Sequence, residues 1–375
     1  MPDSSDMIVF WAVVLGRLLL PLLIPRWPLP GVIICLVLDG VDQTIFQQFT
    51  SLPLEGYQGY DKSLDIYYLT VAYIATFRNW VNLDAFNVSR FLYYYRLVGV
   101  ALFEALQIRW LLLVFPNTFE YFFIYYEAVR TRWNPARFGK RYWIIAAALI
   151  WIFVKLPQEY WIHVAQLDTT DLIKSKIFGV ATTATWMEAI ANRPMVLVIA
   201  GIALVAIVAL IWWLWKRLPA PDHAFRLEAD PLPEYADELN ERLAIGSKGG
   251  WFGEGLIEKI ILIGFVSVIF SHVLGIHGST VQLIGEIAVI VAANALFSQI
   301  LVRRRVGWES PWMHFLAMLG LNAVLAMGLI WFIRFTGGLV SMSNVVFYLL
   351  LITLIVTLYD RFRPIYTARI EHVAV

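Results

Sequence analysis

Runs of largely apolar residues, close to the 20 or so that a helix needs to cross a hydrocarbon layer, recur along this chain between short polar turns. Eleven such runs are predicted to be helices: residues 7–25, 30–48, 61–78, 84–106, 110–129, 142–163, 194–216, 253–275, 279–301, 311–333 and 342–360. The expected fold is therefore all-α, a polytopic integral membrane bundle of about eleven spans. Short turns join the first six, and two longer polar stretches punctuate the rest. These divide the chain into a six-helix half over 1–165, an outer interfacial segment over 166–193 and a five-helix half over 194–375. The last contains a cytoplasmic loop at 217–250, in which PLPEYADELNERLA sets prolines ahead of early acids, as a short amphipathic helix would. The segment 166–193 is too polar to span and is expected to lie in the interface or act as a lid.

Composition agrees with the pattern. Hydrophobic residues are 60% of the chain and charged residues 15%, which excludes an ordinary soluble domain. The 16 Trp and 17 Tyr suit side chains that settle at headgroup level. A net charge of +1 offers nothing to a nucleic acid, and the single cysteine, Cys35, rules out a disulfide framework or a thiolate metal cage. The acidic start, MPDSSD, lacks the basic flank and small-residue cleavage site of a secretory signal. Basic residues in short loops mark the cytoplasmic side. Arg130, Arg132, Arg137, Lys140 and Arg141 agree with Arg303, Arg304 and Arg305 across an even number of spans, which places the N-terminus outside and the C-terminus inside. A bacterial-type plasma membrane is the expected setting, with membrane lipids as the immediate partners.

Charges inside apolar segments are costly, so they face a cavity or a partner and point to function. They concentrate in helices two to six, whereas the later spans carry chiefly Glu258, Lys259, His272 and Glu286. Asp39 and Asp42 are three residues apart and Asp61 and Asp65 four apart, so each pair projects from one helix face. Four carboxylates converging across one hairpin can ligate a hard divalent cation, Mg²⁺, Mn²⁺ or Ca²⁺; standing in headgroup water at helix ends is the alternative. The pairs Asp39-Gly-Val-Asp42 and Asp61-Lys-Ser-Leu-Asp65 resemble the two acid pairs of the CDP-alcohol phosphotransferases. That resemblance implies a divalent metal held by the acids, one of which serves as base. It covers about 27 residues. Gln43 stands in place of the family's glycine, and the family's Ala-Arg pair is absent.

Helix four places Arg90 and Arg96 in an apolar span beside Tyr93, Tyr94 and Tyr95. Guanidinium groups at such depth require carboxylate or phosphate partners. Arg96 is expected either to pair with an acid such as Glu120 or, with Arg90, Tyr94, Glu104 and Lys155, to bind a polar substrate or a lipid headgroup. Helix five carries Glu120 and Glu127 on one face after Pro116 and Asn117, which predict a kink with freed carbonyls; Glu127 is expected to meet the basic loop. Helix six aligns Lys155, Glu159 and His163 at four-residue spacing beside Pro157. Glu159, His163 and Glu120 are the candidates for proton transfer, as a relay or as a general base. The bland alternatives are mutual neutralisation of Lys155 and Glu159 and a wet interface position for His163 near Asp168. His163 and His272 alone are weak support for haem, and Asn87-Val-Ser89 falls inside a span, where a glycosylation signal is not used.

No Walker loop, Gly-x-Ser-x-Gly, His-Glu-x-x-His or Cys-x-x-Cys-His occurs. Three classes stay open: a transporter or flippase of a lipid-linked or small polar substrate, placed first because eleven spans exceed what a one-site enzyme needs; a divalent-metal enzyme acting on a lipid phosphate or glycolipid; and a non-catalytic assembly protein whose buried pairs set helix register.

Overall fold

The computed structural model describes residues 4–51, 57–167, 169–231, 254–276, 280–303, 311–335 and 341–374, which form helices and connecting turns without a strand. The helices are α1 (Ser4–Leu19, continued by a tighter turn over Leu20–Leu23), α2 (Pro28–Phe49), α3 (Gln58–Asn79), α4 (Leu83–Leu106), α5 (Trp110–Val114) and α6 (Thr118–Arg130). They continue with α7 (Lys140–Val164), α8 (Met195–Trp215), α9 (Glu254–Val273), α10 (Thr280–Arg303), α11 (Pro311–Phe335) and α12 (Met342–Ala374). Six of them, α1, α2, α7, α8, α9 and α12, are long and apolar enough to cross a membrane, as expected of a multi-pass membrane protein. The expected amphipathic helix in PLPEYADELNERLA lies outside the described residues, as do Asp168, Arg304 and Arg305. Between α7 and α8 the chain forms short helical pieces, the last of which, Trp186–Asn192, opens on a capping box made by Thr185 and Glu188.

Elementary rules set the helix ends. Pro28 starts α2, where a missing N–H costs nothing. Asn82 caps α4 by accepting from the Ala85 N–H, and α4 ends at Gln107 with φ of 56°, the left-handed turn that commonly closes a helix. Arg369 of α12 donates to the carbonyls of Arg78 (2.8 Å) and Trp80, satisfying the unpaired C-terminal end of α3.

α3 is the hub. Every side chain from Ser63 to Phe77 except Asp65 is buried. It packs on α1, α2 and α4 on one side and on α9 and α12 on the other. A helix so enclosed by protein has no need of the uniformly apolar surface that lipid demands, which is why its sequence reads weakly as a span. α8 is the opposite case, apolar all round with none of its side chains from Met195 to Trp213 buried.

Two sets of loops gather at opposite ends of the bundle. At one end the segment before Pro231 straps across the others: Ala229 N–H donates to the Arg26 carbonyl (2.8 Å), Arg226 N–H to the Thr131 carbonyl (3.0 Å), and Arg137 pairs with Asp222 (2.8 Å). At the other end Tyr60 donates to Asn344 (2.9 Å), which donates to the Leu274 carbonyl (2.8 Å), and Lys62 pairs with Glu104 (3.1 Å).

Candidate functional site

Asp39 and Asp42 of α2 and Asp61 and Asp65 of α3 converge, and at their centre stands Arg17 of α1. One guanidinium nitrogen donates to Asp42 and Asp61, and the other to Asp39 and Asp65. Tyr57 braces the group, its hydroxyl 3.2 Å from Arg17 and donating to Asp42 at 2.7 Å. Side chains on a helix lean toward its N-terminus, so Arg17, near the end of α1, reaches back into the bundle where the acids lie. Arg17 and Asp42 are buried, whereas Asp39 and Asp65 keep 32% and 40% of their side-chain surface accessible.

Beside this cluster lies a second charged set, built around a break in the helical run. Pro116 and Asn117 separate α5 from α6. The freed Phe115 carbonyl accepts from Arg96 of α4 (3.0 Å), and the Asn117 N–H donates to Glu159 of α7 (3.1 Å). Glu159 thus sits at the N-terminal end of α6, where the helix dipole favours an anion. Asn117 also donates from its side chain to Glu120 (2.9 Å), Lys155 lies 3.8 Å from Glu120, and His163 lies 3.0 Å from Glu159. Pro157 has no N–H to return to the preceding turn, and α7 widens to π-helical register over Ile150–Lys155 and Tyr160–Val164, a distortion common at functional positions.

The two sets adjoin. Arg96 interacts electrostatically with Glu159 and with Asp65, and Glu120 with Asp39.

The pairings correct two expectations. Arg96 bonds a backbone carbonyl, with Glu159 rather than Glu120 as the acid acting on it, and the ion pair of Lys155 is with Glu120, Glu159 being a more weakly acting neighbour. Glu127 does meet the basic loop, through Arg130 (2.6 Å) and the Trp80 indole (2.8 Å). The substrate-binding candidates do not form one site. Arg96 and Lys155 join the charged set; Glu104, near the end of α4, pairs with Lys62; Arg90 and Tyr94 line a groove of about 730 Å³ between α4 and α9, whose other wall includes Glu258, Ile261 and Phe265 of α9, with Arg363 of α12.

Asp39, Asp61 and Asp65 each offer a carboxylate oxygen within 4.8 Å of the others, a spacing within reach of a divalent cation. Arg17, however, already bonds all four acids and stands where such an ion would sit. The donor set fits a metal only if that arginine moves away.

The C-terminal helices hold a polar seam of their own. Lys259 of α9 pairs with Asp360 of α12 and donates to Ser298 of α10 (2.5 Å); Ser298 donates to Asp360, and His314 of α11 lies 3.4 Å from it. Deeper in, Asn294 donates to Asn322 (2.8 Å), which donates to Thr353 (2.7 Å). Function was expected in the first half alone, yet these residues are as fully buried as any there.

Gly99 shows how tightly the break is held. An added methyl group there would overlap Phe115, whose carbonyl serves Arg96. Gly99→Ala is expected to destabilise the protein by about 1–3 kcal/mol through overpacking, although alanine is the better helix former by about 1 kcal/mol. Thermal unfolding in detergent decides the sign.

No protein-family model, curated protein or solved structure matches this chain.

Proposed function

We propose that the protein is a proton-coupled transporter or flippase of a lipid-linked or small polar substrate, in which the Arg17 cluster and the adjoining Glu120, Lys155, Glu159 and His163 carry the protons. One observation carries the reading: four carboxylates share a single guanidinium. Fully ionised, they leave three negative charges uncompensated, and the neighbouring glutamates, balanced by Arg96 and Lys155, do not remove the excess. Like charges a few ångströms apart repel by about 4 kcal/mol per pair even at an effective dielectric of 20. Protons relieve this without displacing Arg17, and carboxylate and imidazole side chains in line, here Glu159 and His163, are the usual material of intramembrane relays. The groove between α4 and α9, with Arg90 and Tyr94 on an apolar wall, suits a substrate that is polar at one end.

The same reading takes eleven spans, with α5 and α6 as one broken span, the N-terminus outside and the C-terminus cytoplasmic. The loop end holding Arg26, Arg78, Arg130, Arg132, Arg137, Lys140, Arg141, Lys216, Arg217, Arg226 and Arg369 is more basic than the end holding Lys62, Arg109, Lys174, Lys176, Arg193 and Arg334, which favours this orientation.

In proteoliposomes, an imposed pH gradient is expected to drive proton entry that Glu159→Gln lowers at least tenfold while the variant melts as the parent does. Undiminished entry in the folded variant rules out coupling through Glu159. The second reading, a divalent-metal enzyme acting on a lipid phosphate, is favoured by the mutual approach of Asp39, Asp61 and Asp65. Saturable Mn²⁺ binding that vanishes in Asp39→Asn would support it. A purely register-setting cluster would be balanced in charge; the Lys259–Asp360 pair is, and the Arg17 cluster is not.

A further inference from the structure

A cavity of about 820 Å³ opens at the basic end of the bundle, between the turn after α1, the end of α3 and helices α11 and α12. Three arginines line it from three separate elements: Arg26, Arg78 and Arg361. None of them is paired with a carboxylate among the described residues, and Arg78 is surrounded by the like charges of Arg361, Arg130 and Arg369, with Asp230 opposing. Glu228 is the single acid in the lining, and it already accepts from the Trp27 indole (3.3 Å). The remaining wall is mostly apolar, with Trp312, Phe315 and Phe362, and includes Thr357, whose buried hydroxyl has no hydrogen-bond partner.

Arg78 donates to the Pro25 carbonyl (3.0 Å) and to Asn79 (2.6 Å), and Arg26 and Arg361 are exposed; arginines that converge without a carboxylate partner attract an anion, and their forked donors match phosphate oxygens two at a time. The volume is that of a ligand pocket and far exceeds a single phosphate. Its apolar walls call for hydrocarbon next to the charge. Basic pockets between membrane helices on the positively flanked side are sites for anionic headgroups. We infer that this cavity binds the phosphate of an anionic amphiphile, with Arg26, Arg78 and Arg361 on the phosphate and the aromatic wall of α11 and α12 against the chain. This site is separate from the Arg17 cluster and does not depend on the transport reading.

The test uses the full chain in neutral detergent, with phosphatidic acid, phosphatidylcholine and inorganic phosphate as probes and native mass spectrometry as readout. Phosphatidic acid is expected to bind at least tenfold more tightly than phosphatidylcholine. The double variant Arg26→Gln/Arg361→Gln should lose that preference while melting as the parent does, since both side chains are exposed and neither is among the hydrogen bonds that hold the fold together. Lys140→Gln/Arg141→Gln, exposed on the same face but outside the cavity, should keep it. Arg78→Gln provides an independent variant on a third element. Equal binding of the two lipids, an unchanged preference in the cavity variants, or inorganic phosphate matching phosphatidic acid would each overturn the assignment.

Discussion

Arg17→Met is expected to be the most damaging single substitution in the protein, lowering stability by at least about 3–5 kcal/mol, the cost of removing one partner from a buried ion pair. Here the loss is larger in kind, because four carboxylates lose the same partner at once. Thermal unfolding in detergent and the yield of monodisperse protein measure it. Adding Asp42→Asn and Asp61→Asn should restore much of the loss, and Arg17→Lys should fall between, since an ammonium group cannot fork toward two acid pairs. An Arg17→Met protein as stable as the parent would show that the acids do not depend on the guanidinium.

The Lys259–Asp360 pair predicts a different signature. Asp360→Ala leaves a buried ammonium group and is expected to cost about 3–5 kcal/mol, whereas the double replacement Lys259→Met/Asp360→Leu should be near neutral. His314 and Ser298 would then keep only their weaker contacts. The balance of charge makes this pair a structural element by default, unlike the Arg17 cluster. A double variant as unstable as the single one would mean that the site has an ionic role beyond pairing.

How far these sites could be read from the sequence varies for physical reasons. The acid pairs at Asp39, Asp42, Asp61 and Asp65 were visible because a carboxylate inside an apolar run is costly and their spacing fixes a common face. Their partner was hidden by position. Arg17 lies near the end of a span, where a basic residue reads as an interface anchor, and only the packing of α1 on α2 and α3 turns it inward. The helix break at Pro116 and Asn117 was legible from proline chemistry, but the exchange of partners among Arg96, Glu120, Lys155 and Glu159 was not, since it depends on which face of α7 meets the break. The C-terminal seam left a trace in the spacing of Asn294 with Ser298 and of Thr353 with Asp360, four and seven residues apart and so on one helix face. Uncharged amides and hydroxyls cost little enough in a helix that such a trace is easily passed over. α3 carries more polar residues than a lipid-facing span because protein, not lipid, surrounds it.

Proton coupling requires that acids around Arg17 take up protons in the folded protein. Infrared difference spectra of the purified chain, recorded over a pH titration, test it most directly, because protonated carboxyl groups and carboxylates absorb separately. Protonated-carboxyl signals are expected to change with pH and to lose intensity in Asp61→Asn and in Asp65→Asn while the fold persists. Spectra in which those two variants leave every protonated-carboxyl signal unchanged would contradict it.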